Sequence, residues 1–474
     1  MDTHATNPRL MPCPHKPLKP RVAYTKPYMV PLLVLILVSI PFLLVPGGED
    51  GPEVPISAGG ISGKSGSEYI AKEKVTDLVQ TADGGFALVI TTEFDLTGDS
   101  DIMLVKTGTD GTVEWSKTFG QSRFDRAGAL VQTVDGGYTL AGSTWREDST
   151  FLWLIKTDAN GKVEWNETYE NIHVDSLYIG KGLKNTFEGI SSIFQTREGG
   201  FALALDSLLV KIDTNGALEW TKTYTSPKRF DDIFSLVQTE DGGFALAGRT
   251  SDGPSTSTDM WLVKTDSTGA MEWSKTYGRA NHDDQAYSLV QTEDGGFALA
   301  GSTNSYEGYR SDMLLVKTDG NGAMEWGKTY GGAKHDEAQS LIQTGDGGFV
   351  LAGLVDYDHS RSDSDTWLVK TDSNGDVEWN NTYGGPDYDS AETVIQATDG
   401  SFVIAGFTDV NEALIGDGTD TWLMKTDESG NELWKYFIDG TDDEEWVNDL
   451  IETVDGGFVF TGPSGPSHGK KMDA

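Results

Sequence analysis

An all-β fold of repeated four-stranded sheets is predicted by three observations: two recurring markers in step with each other, and turn chemistry every ten residues or so. The acid of an Asp-Gly-Gly turn, Glu-Gly-Gly in one copy and Asp-Gly-Ser in another, returns at Asp83, Asp135, Glu198, Asp241, Asp294, Asp346, Asp399 and Asp455. The mean spacing is about 53 residues, long enough for one four-stranded blade. A tryptophan returns with the same spacing at Trp115, Trp165, Trp220, Trp273, Trp326, Trp379 and Trp434. The 57 glycines and 13 tryptophans, with little helix-period patterning, fit an all-β chain.

The fifth copy shows the elements in order. Four strand-like segments, a to d, are read at Ser288–Thr292, Phe297–Thr303, Met313–Thr318 and Glu325–Tyr330. Strand d alternates in the copy before it. Trp273, Lys275 and Tyr277 share one face and Glu272, Ser274 and Thr276 the other, the period of a half-exposed edge strand. Segments a and b are apolar or small on both faces, as expected between neighbouring sheets. Asp-Gly-Gly joins a to b, and Asp-x-x-Gly (Asp266 to Gly269, Asp372 to Gly375) joins c to d; both supply glycine where a tight hairpin needs positive φ. Stacked hairpins without helices close into a ring more readily than they end bare, which predicts a β-propeller. Seven complete units and a half unit favour eight sectors, the last completed by an N-terminal strand near Val54–Ala58. A seven-bladed ring with a spare hairpin is the alternative.

Ahead of the array, residues 1–27 are rich in proline and basic side chains and read as an extended cytoplasmic tail. Residues 28–46 carry no charge over 19 positions, close to the roughly 20 needed to span a bilayer, and the basic flank places the N-terminus in the cytoplasm. A transmembrane helix acting as an uncleaved signal anchor is favoured over a cleaved signal peptide, because the n-region is long and no small-x-small site precedes Gly47. A Gly/Ser/Pro linker (47–68), the propeller (69–462) and a flexible tail (463–474) follow.

The net charge is −38. The first 47 residues hold five Lys/Arg and one acid, leaving 31 basic and 73 acidic residues after them. So acidic a domain repels nucleic acid and anionic lipid, which excludes a nucleic-acid function. Cys13 is the only cysteine, so no intrachain disulfide exists. No histidine pair has metalloprotease spacing, and no nucleophile elbow is present. His282 and His335, in related loops, read as ordinary surface histidines. Lys106, Lys156, Lys211, Lys264, Lys317, Lys370 and Lys425 recur in strand c, and Gln80, Gln132, Gln195, Gln238, Gln291, Gln343 and Gln396 in strand a. A group needed in every unit serves architecture, such as blade-to-blade pairing.

One register carries a possible site. Ten residues before each turn marker stands an acid: Glu73, Asp125, Glu188, Asp231, Asp284, Asp336, Asp389 and Glu445. A second set, Asp101, Asp206, Asp259, Asp312, Asp365 and Asp420, precedes the strand-c lysines and is interrupted at Phe151. Strands a and c start at the same end of an up-and-down blade, so both sets share a face with the length-variable loops, often the binding side of a repeat protein. Such carboxylates suit Ca²⁺, which takes oxygen ligands, or serve as turn acceptors of backbone N–H groups. Asn166 and Asn380 open the N-x-S/T sequons and fall on strand d, where glycans would not disturb blade contacts.

The pattern SLVQT-x-DGGF-x-LAG, then WLVKTD-x-x-G-x-x-EW-x-KTYGG, resembles the repeats of secreted or surface-anchored prokaryotic β-propeller proteins, a family of mostly unassigned function. The resemblance covers roughly residues 75–462; it implies a propeller and an extracellular setting, and no reaction. The Asp-x-x-Gly-x-x-x-Trp spacing is similar to the tryptophan-docking segment of quinoprotein-type propellers, though their adjacent cysteines are missing. It is less similar to the sialidase Asp-box. The expected function is a membrane-anchored, extracellular binding or structural module for an unknown protein or glycan. The alternative is an exported glycan- or peptide-acting enzyme with its site in the irregular loops, where His173, Asp175, Tyr178 and Lys181 are gathered.

Overall fold

The computed structural model describes residues 42–45 and 71–461, apart from 95–98, 148, 174–191, 206, 225–229, 252–256, 279–281, 305–309, 333, 359–362, 386–387, 411–417, 439–446, 448 and 454–455. Every regular element among them is a strand. The strands form antiparallel sheets that take the chain in order, a-b-c-d. In the fifth sheet these are Asp284–Gln291, Phe297–Thr303, Asp312–Thr318 and Met324–Tyr330. The sixth and seventh sheets are joined by one parallel bridge, Ser364 to Tyr388.

Burial follows the sequence pattern. Strands b and c of the fifth sheet are buried at every position, whereas strand d is exposed or half-buried at all but its last residue and forms the outer edge. Turn chemistry fixes the hairpins. Gly295 sits at φ +80, where glycine carries no steric cost, while Asp294 Oδ1 accepts from Gly296 N at 2.9 Å and Thr292 Oγ1 at 2.6 Å. In the c–d turn, Asp266 Oδ1 accepts from the N–H groups of Thr268 and Ala270 at 2.8 and 2.9 Å.

The recurrent lysine works within its own sheet, which corrects the expectation that it joins neighbouring blades. Buried Lys317 reaches Asp294 of the a–b turn at 2.8 Å, Glu325 of strand d at 2.9 Å and the carbonyl of Thr318 at 2.9 Å, tying three strands together. Burial acts to raise the Asp294 pKa, but hydrogen bonds from Lys317, Thr292 and Gly296 outweigh it and lower it to about 2. The recurrent glutamine does join sheets: Gln291 Oε1 accepts from Glu240 N of the preceding sheet at 3.0 Å, and Gln343 does the same for Glu293.

Strand d docks onto the next sheet. Trp273 packs edge-on against Phe297 at 5.9 Å, and a Cβ added at Gly322 would lie 2.6 Å from the Trp273 ring, so only glycine lets the indole approach. Tyr277 OH donates to Gly322 O at 2.9 Å. The hydrophobic core accordingly lies between sheets. One cluster combines Ala245, Met260 and Leu262 of the fourth sheet with Leu289, Phe297 and Leu314 of the fifth. Burying a Leu or Phe side chain is worth about 1.5–3 kcal/mol, so each sheet depends on two neighbours for its stability.

The half unit finds both neighbours. Asp449–Glu452 and Phe458–Thr461 pair with each other, and Phe42–Val45 adds a third strand beside Phe458–Thr461. Trp434 of the seventh sheet packs on Phe458, while Val459 joins the cluster of Val75, Leu78 and Leu88 in the first sheet. Phe42–Val45 belongs to the 28–46 run; the rest of that run and Val54–Ala58 lie outside the described residues. Among the described residues no helix is long and apolar enough to cross a membrane.

Candidate functional site

The two acid registers meet on one face. Cross-strand pairing sets Asp284 opposite Thr303 and Thr303 opposite Asp312, an acid-threonine-acid row at the end of the fifth sheet. The fourth sheet repeats it with Asp231, Thr250 and Asp259, the seventh with Asp389, Thr408 and Asp420. In the first sheet the backbone of Glu73 pairs with Thr92. Glu188, Asp206 and Glu445 lie outside the described residues. The a–b and c–d turns at the opposite face keep one length throughout, and the b–c connections on the acid face do not.

Asp125, Asp231, Asp284, Asp336 and Asp389 of the first register stand at the first or second residue of strand a and are buried. Asp125, Asp284 and Asp336 are fully buried, and Asp231 and Asp389 nearly so. Several accept backbone N–H bonds, from the preceding loop and, for Asp336, also from strand b. Asp125 takes Gln121 N at 2.6 Å and Ser122 N at 2.9 Å, Asp336 takes Gly332 N at 2.8 Å and Asp356 N at 2.7 Å, and Asp389 takes Gly385 N at 3.0 Å. These three carboxylates thus accept backbone N–H groups.

The strand-c acid of one sheet faces the strand-a acid of the next across a glycine. A Cβ added at Gly331 would overlap Asp312 Oδ1 and lie 2.5 Å from Asp336 Oδ2. At Gly384 it would overlap Asp365 Oδ1 and lie 2.8 Å from Asp389 Oδ2, which accounts for the glycine after KTY and NTY. Burial pushes Asp312 up to about 6. Asp336 also rises to about 6: burial and the nearby Asp356 and Asp312 charges exceed the lowering by its two N–H bonds. Asp101 and Asp365 are raised by burial and then by the facing Asp125 and Asp389. Among the described residues no three His, Cys, Asp or Glu side chains gather closely enough to hold a metal ion.

Three features escaped the sequence reading. The first is a row of half-buried rings on the acid face: His335 against Tyr357 at 5.9 Å, Tyr357 against Tyr388 at 5.4 Å, and Tyr388 stacked on Phe407 at 5.6 Å. Departure from the repeat at Tyr357 and Phe407 was the available signal. The second is Lys435, which stands where other copies place Ser274 or Asn380 and borders a cleft of about 300 Å³ with Tyr383, Asp389, Asp420 and Phe437. Its ammonium lies 4.0 Å from Asp389 Oδ1 and 4.3 Å from the centre of the Trp422 ring. Burial lowers its pKa, against the raising effect of Asp389, Glu432 and Asp365. The third is a Ser311–His335–Glu337 chain, in which Ser311 Oγ contacts His335 Nδ1 and His335 Nε2 lies 3.2 Å from Glu337. Ser311 is buried, its hydroxyl turns to Asp336 O at 3.2 Å, and the surrounding carboxylates would oppose an oxyanion.

His282 ties its loop to the carbonyl of Asn304 at 3.3 Å, and Asp175, Tyr178 and Lys181 lie outside the described residues. On strand d, Asn166 is exposed, while Asn380 is half-buried and accepts from the Trp367 indole at 3.4 Å.

Four-stranded antiparallel sheets, packed in series around shared inter-sheet cores, define a β-propeller-like repeat protein. Solved structures of similar fold include Sqt1 from Chaetomium thermophilum, with TM-score 0.51 and 10% identity over 83% of this chain and 97% of that one. The WD40 domain of Neurospora crassa Pan2 has TM-score 0.42 and 12% identity over 72% and 90% of the two chains. YCF48 from Cyanidioschyzon merolae has TM-score 0.37 and 8% identity over 70% and 93%. No family model and no curated protein matches the sequence.

Proposed function

We propose that the chain is a membrane-anchored, outward-facing propeller of eight sectors that serves as a binding module, and that its acid face takes up a glycan. The observation that carries the ligand class is the row His335, Tyr357, Tyr388 and Phe407 beside buried carboxylates. Aromatic faces stack on the apolar face of a sugar ring, and carboxylates accept its hydroxyl protons. On the opposite face Lys317 and Lys370 are paired with the turn and strand-d acids of their own sheets. Eight sectors are supported by the packing of Trp434 on Phe458 and of Val459 on the first sheet.

Binding of the detergent-solubilised full chain to a glycan array tests the ligand. Tyr357→Ala and Tyr388→Ala are each expected to weaken the best hit about tenfold or more, the roughly 1–2 kcal/mol of a buried ring contact. Absence of any glycan hit, or hits that both variants keep at full strength while melting normally, would overturn it. Orientation has its own test, because Cys13 is the only thiol. An impermeant maleimide should label it only after cell lysis; labelling in intact cells would refute a cytoplasmic N-terminus. Anchor and sheet compete for Phe42–Val45: without those residues and Pro46 the uncharged run is 28–41, about 21 Å as helix against a hydrocarbon core of about 30 Å.

A further inference from the structure

We infer that the junction between the fifth and sixth sheets binds a hard divalent cation, with Asp312 and Asp336 as its charged ligands. The two carboxylates come from different sheets and converge over Gly331, whose missing side chain leaves room that a Cβ would fill. Their partners differ. Asp336 accepts two backbone N–H bonds, but Asp312, only 9% exposed, receives no hydrogen bond and no ion pair from any described residue. A largely enclosed carboxylate with no protein donor has only residual water to stabilise its charge, and a cation would supply what the protein does not.

The repeat contains its own comparison. At the junction of the sixth and seventh sheets the corresponding acids are Asp365 and Asp389, and there the chain supplies a cation: Lys435, from strand d of the seventh sheet. In strand d of the sixth sheet the equivalent residue is Asn380, which is neutral and already bonded to Trp367. One junction therefore has a built-in ammonium and the other requires a charge from outside. Oxygen ligands without nitrogen or sulfur select Ca²⁺ or Mg²⁺. Two carboxylates leave most coordination positions to water, as Mg²⁺ prefers and Ca²⁺ tolerates. Asp356 stands further off, at φ +61, with Oδ1 3.8 Å from the Cβ position of Gly332.

Calorimetric titration of the EDTA-treated full chain with CaCl₂ and with MgCl₂ at pH 7.5, paired with melting at matched ionic strength, tests the site. The wild type is expected to bind one of these ions at this junction and to melt higher as its concentration rises. Asp312→Asn should lose one equivalent and the associated shift while melting in EDTA no lower than wild type. Lys435→Met, which exposes the second acid pair, should gain an equivalent. Equal stoichiometry in wild type and Asp312→Asn would overturn the inference, as would a melting temperature that responds to pH but to neither ion, the signature of a shared proton. Glycan binding is read separately in EDTA, so either idea can fail alone.

Discussion

Gly301→Val is expected to destabilise the protein by about 3 kcal/mol or more, or to prevent folded protein from accumulating. Strand a of the fifth sheet carries a β-bulge, with Ala286 opposite Gly301, Ser288 opposite Ala300 and Tyr287 left over. The bulge bends strand a across strand b. A Cβ added at Gly301 would overlap Gln285 O and lie 2.9 Å from its carbonyl carbon and 3.0 Å from Ala286 Cα. All three atoms are backbone, so no rotamer change relieves the clash, and the strand must lose its bulge or its pairing. Gly248, Gly353 and Gly406 stand against Asp232, Glu337 and Ser390 in the same way. Gly295→Ala is the matched control. It has nothing within 4 Å of a new Cβ and only its φ of +80 to resist, about 1 kcal/mol. Thermal melting of the two variants checks the contrast; equal losses would mean that the bulge tolerates a side chain.

That bulge also marks how far the sequence could be read. Strand b was legible to the residue, Phe297–Thr303, because it is buried on both faces and bounded by a glycine turn. Strand a starts at Asp284, not Ser288: the extra residue at Tyr287 breaks the two-residue alternation that identifies a strand, so its first turn read as loop. The acids of that turn were visible as a register, and their shared face followed from up-and-down topology. Their burial was hidden, since a charged residue carries no sign of enclosure until its neighbours are placed. Recurrence marked Lys317 and Gln291 as architectural but could not separate contacts within a sheet from contacts between sheets, because both repeat with the same period. Lys435 and the ring row needed the opposite test, a search for positions where one copy departs from the others.

Asp312 and Asp336 also set the expected pH response. In EDTA, the stability of the wild type should fall as pH rises from about 4 to about 6. Burial raises both carboxyls from the ordinary 3.8 to about 6 in the fold, so in this window the unfolded chain gives up protons that the folded chain keeps. The contribution is fully present below the unfolded pKa and is lost as pH passes the folded one. That rise corresponds to about 3 kcal/mol per group; coupling between the carboxyls and residual water at the junction reduce this to about 2–3 kcal/mol for the pair. The turn acids act in the opposite sense. Asp241, Asp294 and Asp346, lowered to about 2, lose their contribution as pH falls below about 4, and their exposure makes each effect small. Stability should therefore peak between about pH 4 and 5, well below neutrality. The groups facing Asp312 are Asp336 and, beyond it, Asp356, with His335 and Glu337 on the adjoining strand, so the profile must be assigned by substitution. Asp312→Asn removes one member of the pair and leaves the histidine in place. Melting in EDTA at pH 4.5 and 7.5 is expected to show a decline in wild type that is at least halved in Asp312→Asn, and an unchanged decline would assign it to other groups.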